Sequence, residues 1–216
     1  MPSRFTRLGA LTRIDVRELS QPELPLAAAL AARGMRDNPL HIAAFGDDPD
    51  IRQQRLARMF AIALPAIPGR GVILGVFDNG TLAGIAGMIA PGRCQPSLAD
   101  RLWLLPRLVP ALGSGPFARV GRWMGEWARR DPRQSHWHLG PVAVDMPLQR
   151  RGFGTLLMTE YCARLDRART IGYLETDRQS NVGFYERFGF ETTDSALVLG
   201  VPNWFMRRDY GLSGRG

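Results

Sequence analysis

Residues 136–155 read HWHLGPVAVDMPLQRRGFGT, and this stretch decides how the rest of the chain is interpreted. Trp137 and Leu139 project to one side of an extended strand, whereas Val142 and Val144 have the opposite parity, so the alternation breaks between them. Gly140 and Pro141 occupy the break, and these residue types mark bulges and edges, which predicts a β-bulge. A bulge splays the strand and leaves backbone amides unpaired. Met146 and Pro147 then end the strand, and Gln149, Arg150, Arg151, Gly152, Phe153 and Gly154 form a turn opening a helix near Thr155. Closely spaced glycines let successive N–H groups point into one concavity, the helix adds its positive end, and two arginines supply charge. A pyrophosphate fits that description best.

Downstream, the helix continues over 155–168, with Leu157, Tyr161 and Leu165 on one side and Glu160, Arg164 and Arg167 toward water. A strand follows over 172–176. Ser180 reads as the cap of a short helix over 181–188 that Gly189 stops, and two last strands cover about 190–199 and 204–208. Upstream, 91–133 is punctuated by prolines and reads as two irregular helices inserted before the central strand; Val120, Trp123, Met124 and Trp127 recur at helical spacing. That stripe packs on the sheet, closes over an acceptor or forms a dimer contact. Apolar runs at 71–77 and 81–89, joined through Asp78, Asn79 and Gly80, carry the strongest short-range hairpin signal. Asp48 and Pro49 read as N-cap and first residue of a helix ended by Pro65, with Ile51, Leu56, Met59, Phe60 and Ala63 on one face. Before it, Ser20 and Glu23 form a capping-box pattern ahead of an alanine-rich helix that Gly34 stops. Between these helices lie Arg36, Asp37, Asn38, Pro39 and His41. Ile14 and Val16 alternate as in a half-buried first strand over 12–19, and 1–11 reads as a loose arm.

HWHLGPVAVD, QRRGFG, YLET, SNVGFYERFGF and WFMRR, in that order over 136–208, resemble the GNAT family of N-acetyltransferases, the puromycin N-acetyltransferase type within it most of all. The resemblance implies an α/β (α+β) fold: a mixed, mostly antiparallel sheet of six to seven strands, helices on both faces and a bulged central strand. It implies one domain over 1–216, with its acetyl-CoA-binding core at 136–208. In that family's manner, backbone groups of Val142, Ala143 and Val144 would hold the pantetheine arm as an added strand would. Gln149, Arg150, Arg151, Gly152, Phe153, Gly154 and Thr155 would wrap the pyrophosphate, Asn181 would hydrogen-bond the pantetheine and Phe184 would lie beside it. Tyr185 would stand near the sulfur, and residues 36–41 would border the acceptor. One departure stands out. Gly200, Val201, Pro202 and Asn203 precede Trp204 where the family usually has a Gly-Pro pair, and that loop is expected to shape acceptor choice.

The chemistry asks for the same pieces. A neutral amine attacks a thioester carbonyl, an oxyanion forms and a thiolate leaves. A strand amide freed at the bulge can donate to the oxyanion. Tyr185, still protonated at neutral pH, can give its proton to the sulfur, and Asn181 lies one helical turn before it. Phe184 and Phe188 are an i, i+4 pair expected in the core, which leaves Tyr185 on a neighbouring face. His138 and Glu175 are the two candidates for the base that takes the ammonium proton, each weighed against a structural role.

Composition bounds the rest. The 216 residues suffice for a full single-domain core, and 45% apolar with 22% charged residues excludes a disordered chain. Basic residues number 28 against 20 acidic, giving +8 and a pI near 10.8. Such a surface is simply solvated, attracts the phosphates of CoA, or associates with nucleic acid or ribosomes. Cys94 and Cys162 are too few for a disulfide framework and point to a reducing compartment; the N-terminus lacks a leader's apolar core, so a cytoplasmic location is expected. No membrane partner and no nucleic-acid partner is expected; a small-molecule amine is the expected acceptor.

Other readings are set aside on residues. Gly152 and Gly154 after a strand, with Glu175 beyond, echo a dinucleotide-binding fingerprint, but Leu157 stands at the third glycine position and too little chain follows. His136 and His138 share one side of a strand as a metal pair would, yet no Cys or paired carboxylate lies nearby in sequence, so no metal is expected. Cys162, about 12 Å up the helix from Gly154, is too far to carry the acetyl group, which leaves direct transfer in a ternary complex. The remaining alternative is a catalytically silent acyl-CoA-binding module, or a basic one that associates with nucleic acid or ribosomes.

Overall fold

Asn79 and Gly80 both adopt positive φ, 48° and 81°, the pairing a tight right-twisted hairpin requires. They join β2 (Gly71–Asp78) to β3 (Thr81–Ile89), the expected hairpin. The computed structural model describes residues 13–211, so the arm expected at 1–11 lies outside the described residues.

Among the described residues seven strands form one sheet. Besides the hairpin they are β1 (Ile14–Glu18), β4 (His136–Val144), β5 (Ile171–Thr176), β6 (Glu191–Val198) and β7 (Val201–Arg208), in the order β1-β2-β3-β4-β5-β7-β6. Every pairing is antiparallel except β4 with β5. This mixed sheet excludes the doubly wound dinucleotide-binding architecture, whose strands run mostly parallel.

One face carries α1 (Leu24–Gly34), α2 (Pro39–Phe45), α3 (Pro49–Ala63), α4 (Leu98–Leu112) and α5 (Ser114–Ala128), whose buried Leu30, Phe45, Leu56, Phe60 and Trp123 meet Ile73, Ile85 and Ala143 of the sheet. The other carries α6 (Phe153–Ala168) and α7 (Gln179–Glu186), packed on Leu74, Val76, Ala86, Leu139 and Leu174. From α6, Leu157, Tyr161 and Leu165 are fully buried, each contributing roughly 1.5–3 kcal/mol of transfer free energy. Arg208, 2% exposed, crosses from β7 to hold both oxygens of Asp166 at 2.8 and 3.0 Å and the Phe188 carbonyl at 2.8 Å, tying the ends of α6 and α7 together.

Local signals placed several ends correctly. Asp48 Oδ1 accepts from the N–H of Asp50 and Ile51, and Glu23 reaches back to the Ser20 N–H at 2.8 Å. Four expectations need correction. Pro39–Phe45 is helical, nucleated by a proline at its first position rather than left as a connection. Ile51 and Met124 are about half exposed, rotated around their helices away from the faces that Leu56, Phe60, Val120 and Trp123 bury. Ser180 lies inside α7, whose start is received instead by Thr176 Oγ1, 3.3 Å from the Arg178 N–H. Val201, Pro202 and Asn203 belong to β7, and the turn before it is Leu199 and Gly200 alone, both at positive φ. Asn203 is fully buried and accepts from Trp127 Nε1 at 3.0 Å, a bond that fixes α5 on the sheet. On α4, Leu98, Leu102, Trp103, Leu105 and Val109 remain exposed.

Candidate functional site

The bulge lies where the parity broke. Register between β3 and β4 runs from Gly84↔Val144 to Ala86↔Val142, slips, and resumes at Met88↔Leu139, with Gly140 and Pro141 as the extra length. The slip is what lets Leu139, Val142 and Val144 all pack toward α6 despite their opposite parity. Gly87 lies under it so closely that a Cβ would stand 2.5 Å from the Gly140 carbonyl oxygen.

On its other edge β4 pairs with β5 only at His136, Trp137 and His138, while β5 goes on through Leu174, Glu175 and Thr176 paired to β7 alone. From Leu139 to Val144 that edge therefore has no strand beside it among the described residues. The splayed edge ends at the turn. Arg150 and Gly152 adopt positive φ, 63° and 89°, alternating hand so that successive amides face one concavity. Helix α6 starts at Phe153, two residues earlier than expected, which puts Phe153, Gly154 and Thr155 in its first turn. Among the described residues no acceptor meets the N–H groups of Arg150 through Thr155.

The turn is braced from α1. Gln149 Nε2 donates to the carbonyls of Gly34 and Val144 at 3.2 and 3.1 Å, so its side chain holds the turn in place. Arg33 forks onto both oxygens of Asp145 at 3.0 and 2.6 Å. Arg151 stands 3.7 Å from Asp78, and Arg150 makes no ion pair or hydrogen bond among the described residues, which leaves its guanidinium open to a phosphate.

Across the gap, Asn181 Nδ2 is 3.4 Å from Thr176 Oγ1, and the Phe184 ring lies where a Cβ on Gly154 would touch it at 3.5 Å. Tyr185 departs from its expected place. It is the buried aromatic of α7 at 7% exposure, against Phe184 and Phe190, while Phe184 and Phe188 are half-buried. Burial, with a smaller push from Asp177, raises its phenol further above the usual tyrosine value, so it holds its proton at neutral pH. Its hydroxyl makes no hydrogen bond among the described residues. Cys162 is buried, and burial pushes its thiol up to about 11, against a nucleophilic role.

On the opposite face, His138 Nε2 donates to Glu175 Oε2 at 2.9 Å, and Glu175 Oε1 is buried with no partner among the described residues. The expectation that no Cys or paired carboxylate accompanies the histidines fails at the cysteine, because the fold brings Cys94, together with the single carboxylate of Asp131, against both. Burial disfavours charge on His136 and His138, yet it is outweighed. Hydrogen bonds to Asp131 and Cys94 take His136 to about 10, and the charge of Glu175 with those same bonds holds His138 well above the usual histidine value. Asp131 lies just before His136 in the chain, but Cys94 comes from the distant β3–α4 loop, so sequence spacing could show only part of this group. The start of α2 and the segment before it border the same end of β5: Asp177 Oδ2 accepts from the Leu40 N–H at 2.7 Å and Arg178 donates to the Asp37 carbonyl at 2.8 Å. His41 turns inward, 3% exposed between Trp123 and Phe45. A surface cavity of about 730 Å³ lies between α5 and the β6–β7 turn and is lined by none of the residues of the 149–155 turn.

Residues 41–190 match the model of the acetyltransferase (GNAT) family. Among solved structures, an acetyltransferase from Corynebacterium glutamicum, described as histone acetyltransferase HPA2 and related acetyltransferase, superposes with a TM-score of 0.72 at 20% identity, covering 92% of this chain and 97% of that one. The PaiA N-acetyltransferase of Thermoplasma acidophilum, in complex with coenzyme A, gives 0.52 at 15% identity over 92% and 99%. A GNAT family acetyltransferase of Brucella melitensis, in complex with acetyl-CoA, gives 0.51 at 15% identity over 94% and 92%. The chain belongs to the GNAT family and is by that membership an acyl-CoA-dependent N-acetyltransferase.

Proposed function

We propose that this acetyltransferase moves the acetyl group of acetyl-CoA straight to a primary amine of a small molecule, with donor and acceptor bound together. The observation that carries the reading is an edge of β4 that, among the described residues, has no strand beside it and runs into a turn whose amides meet no acceptor. An edge of that kind takes an extended ligand as it would take a strand. The pantetheine arm lies along Val142, Ala143 and Val144, and the pyrophosphate sits against the amides of Arg150 to Thr155 with the Arg150 charge above it. Asn181 donates to the arm and Phe184 covers it. The CoA and acetyl-CoA held by the Thermoplasma and Brucella proteins support this choice of donor.

In the transfer, the amine nitrogen bonds to the carbonyl carbon, and the oxygen that gains the electron pair is held by a β4 amide freed at the bulge. The carbon–sulfur bond then breaks. Its electron pair leaves on sulfur, which takes the proton of the Tyr185 hydroxyl. Glu175 takes the proton lost by the amine. Oε1 is free for it, whereas both nitrogens of His138 are engaged, one by Glu175 and one facing Asp131 at 3.7 Å. His138 thus positions Glu175.

A thiol-release screen of acetyl-CoA against an aminonucleoside, a polyamine, amino acids, a peptide N-terminus and a lysine peptide tests the reading. Release with one class, reduced by two orders of magnitude or so in Glu175→Gln, is the expected result. Acetyl-CoA binding without release for any amine would favour the silent binding module.

A further inference from the structure

Cys94 lies between β3 and α4, Asp131 between α5 and β4, and His136 and His138 on β4, yet one donor atom from each lies within 4.8 Å of all the others. Asp131 Oδ1 stands 3.0 Å from His136 Nε2 and 3.7 Å from His138 Nδ1, and Cys94 Sγ stands 3.4 Å from His136 Nε2. We infer that Cys94 Sγ, Asp131 Oδ1, His136 Nε2 and His138 Nδ1 bind one zinc ion that clasps the two loops to β4.

The geometry is that of donors converging on a point. In a Cys-His-Asp relay the thiol and the carboxylate take opposite ring nitrogens. Here both face the same nitrogen of His136, while its Nδ1–H donates to the Gln134 carbonyl at 2.7 Å. Tetrahedral zinc, with bonds of about 2.0–2.3 Å, keeps neighbouring donor atoms about 3.3–3.6 Å apart. The separations of 3.0, 3.4 and 3.7 Å bracket that range and the remaining three stay within 4.8 Å, so closure needs shifts on the order of an ångström.

Three of the four donors are also held from behind, as metal ligands characteristically are. His136 has the Gln134 carbonyl, His138 has Glu175 at 2.9 Å, and Asp131 presents its second oxygen to Gln95 Nε2 at 3.2 Å. The Cys94 carbonyl accepts from Arg70 at 2.8 Å, which fixes the loop that delivers the sulfur. Tyr173 lays its ring edge-on to both imidazoles, 5.4 and 5.5 Å between centroids, and closes one side to water.

Donor type selects the metal. One thiolate, two imidazoles and one carboxylate suit zinc, whereas magnesium and calcium take oxygen alone. The thiolate and carboxylate together cancel the charge of a divalent ion, and the two neutral imidazoles leave the site without net charge. Four protein donors fill a tetrahedron and leave no position for substrate, so the ion is a clasp. It also sets the tautomer of His138, whose other nitrogen then carries the proton given to Glu175.

The test uses the full chain purified without chelator or metal-affinity resin, then stripped, dialysed and titrated with zinc or cobalt(II). About one equivalent is expected, the cobalt form showing the thiolate-to-metal absorption and intense visible bands of a tetrahedral site. Zinc should slow alkylation of Cys94 by about tenfold or more, with buried Cys162 as the internal reference, because a metal-bound thiolate is not free to react. Cys94→Ala should lose the thiolate-to-cobalt band. Binding below about 0.1 equivalent, a Cys94 alkylation rate indifferent to zinc, or the band persisting in Cys94→Ala would each overturn the assignment. The alkylation measurement needs no variant, so poor folding of Cys94→Ala cannot obscure the outcome.

Discussion

Gly87→Ala puts a methyl group under the bulge and moves little else. Its carbon would stand 2.5 Å from the Gly140 oxygen and 3.0 Å from both the Gly140 carbonyl carbon and Pro141 Cδ, where ordinary contact begins at 3.4 Å. Two strands of a sheet must therefore part by about 0.9 Å, or the bulged peptide must swing away. Overpacking of this kind costs about 1–3 kcal/mol. If the bulge aims an amide at the reacting oxygen, a displacement near 1 Å also costs about 100-fold in turnover. Saturating acetyl-CoA and the amine found in the screen give kcat, and a thermal melt gives stability. Gly121→Ala serves as control, since a Cβ there meets nothing within 4 Å and gains roughly 0.5–1 kcal/mol of helix propensity. Turnover unchanged in a Gly87→Ala protein whose melt has dropped would show that the bulge is only architecture.

Tyr185→Phe should lower kcat at least about tenfold at saturating acetyl-CoA with little change in the melt, because the hydroxyl makes no hydrogen bond among the described residues; full turnover removes it from the mechanism. Arg52, 4% exposed, donates to the carbonyls of Arg36, Gly46 and Asp47 and to Asp37. Arg52→Met should cost roughly 2–5 kcal/mol and open residues 36–47 to hydrogen exchange, and a melt within a degree of the parent would contradict that. Glu23 and Asp37 are held down at about 2, Glu23 by its hydrogen bonds to Arg17 and Ser20 and Asp37 by those to Arg36 and Arg52. Both are depressed carboxylates, so their stabilisation is whole above the ordinary carboxylate range and is lost as pH falls through about 2. Exposure of Asp37 and solvent screening keep that loss small. Urea midpoints that stay level or rise between about pH 5 and pH 2.5 would disprove the linkage.

The parts of the fold that sequence made legible are those set by neighbours in the chain. Asn79 and Gly80 dictate a hairpin because only such residues accept two positive φ angles in succession. Gly140 and Pro141 dictate a bulge because the apolar residues on either side must reach the same core. Asp48 caps because its carboxylate is one turn from two orphan amides. What stayed hidden depends on distant segments. Tyr185 is buried by Phe190 and the sheet, which the i, i+4 pairing of Phe184 with Phe188 cannot report. Bringing Cys94 to Asp131 and the His136–His138 pair needs the β3–α4 loop to fold against the start of β4, a tertiary event without a local signature. Asn203 reads as loop chemistry next to Pro202, and only its bond to the half-buried indole of Trp127 reveals why a polar residue stands there.

A co-crystal structure with acetyl-CoA tests the central claim most directly. The account predicts pyrophosphate oxygens within hydrogen-bond reach of the amides from Arg150 to Thr155, and the pantetheine amides paired with the backbone of Val142 to Val144 in the gap between β4 and β5. A cofactor bound elsewhere, or a β4 edge that zips onto β5 past His138 and leaves no room for it, would contradict the account.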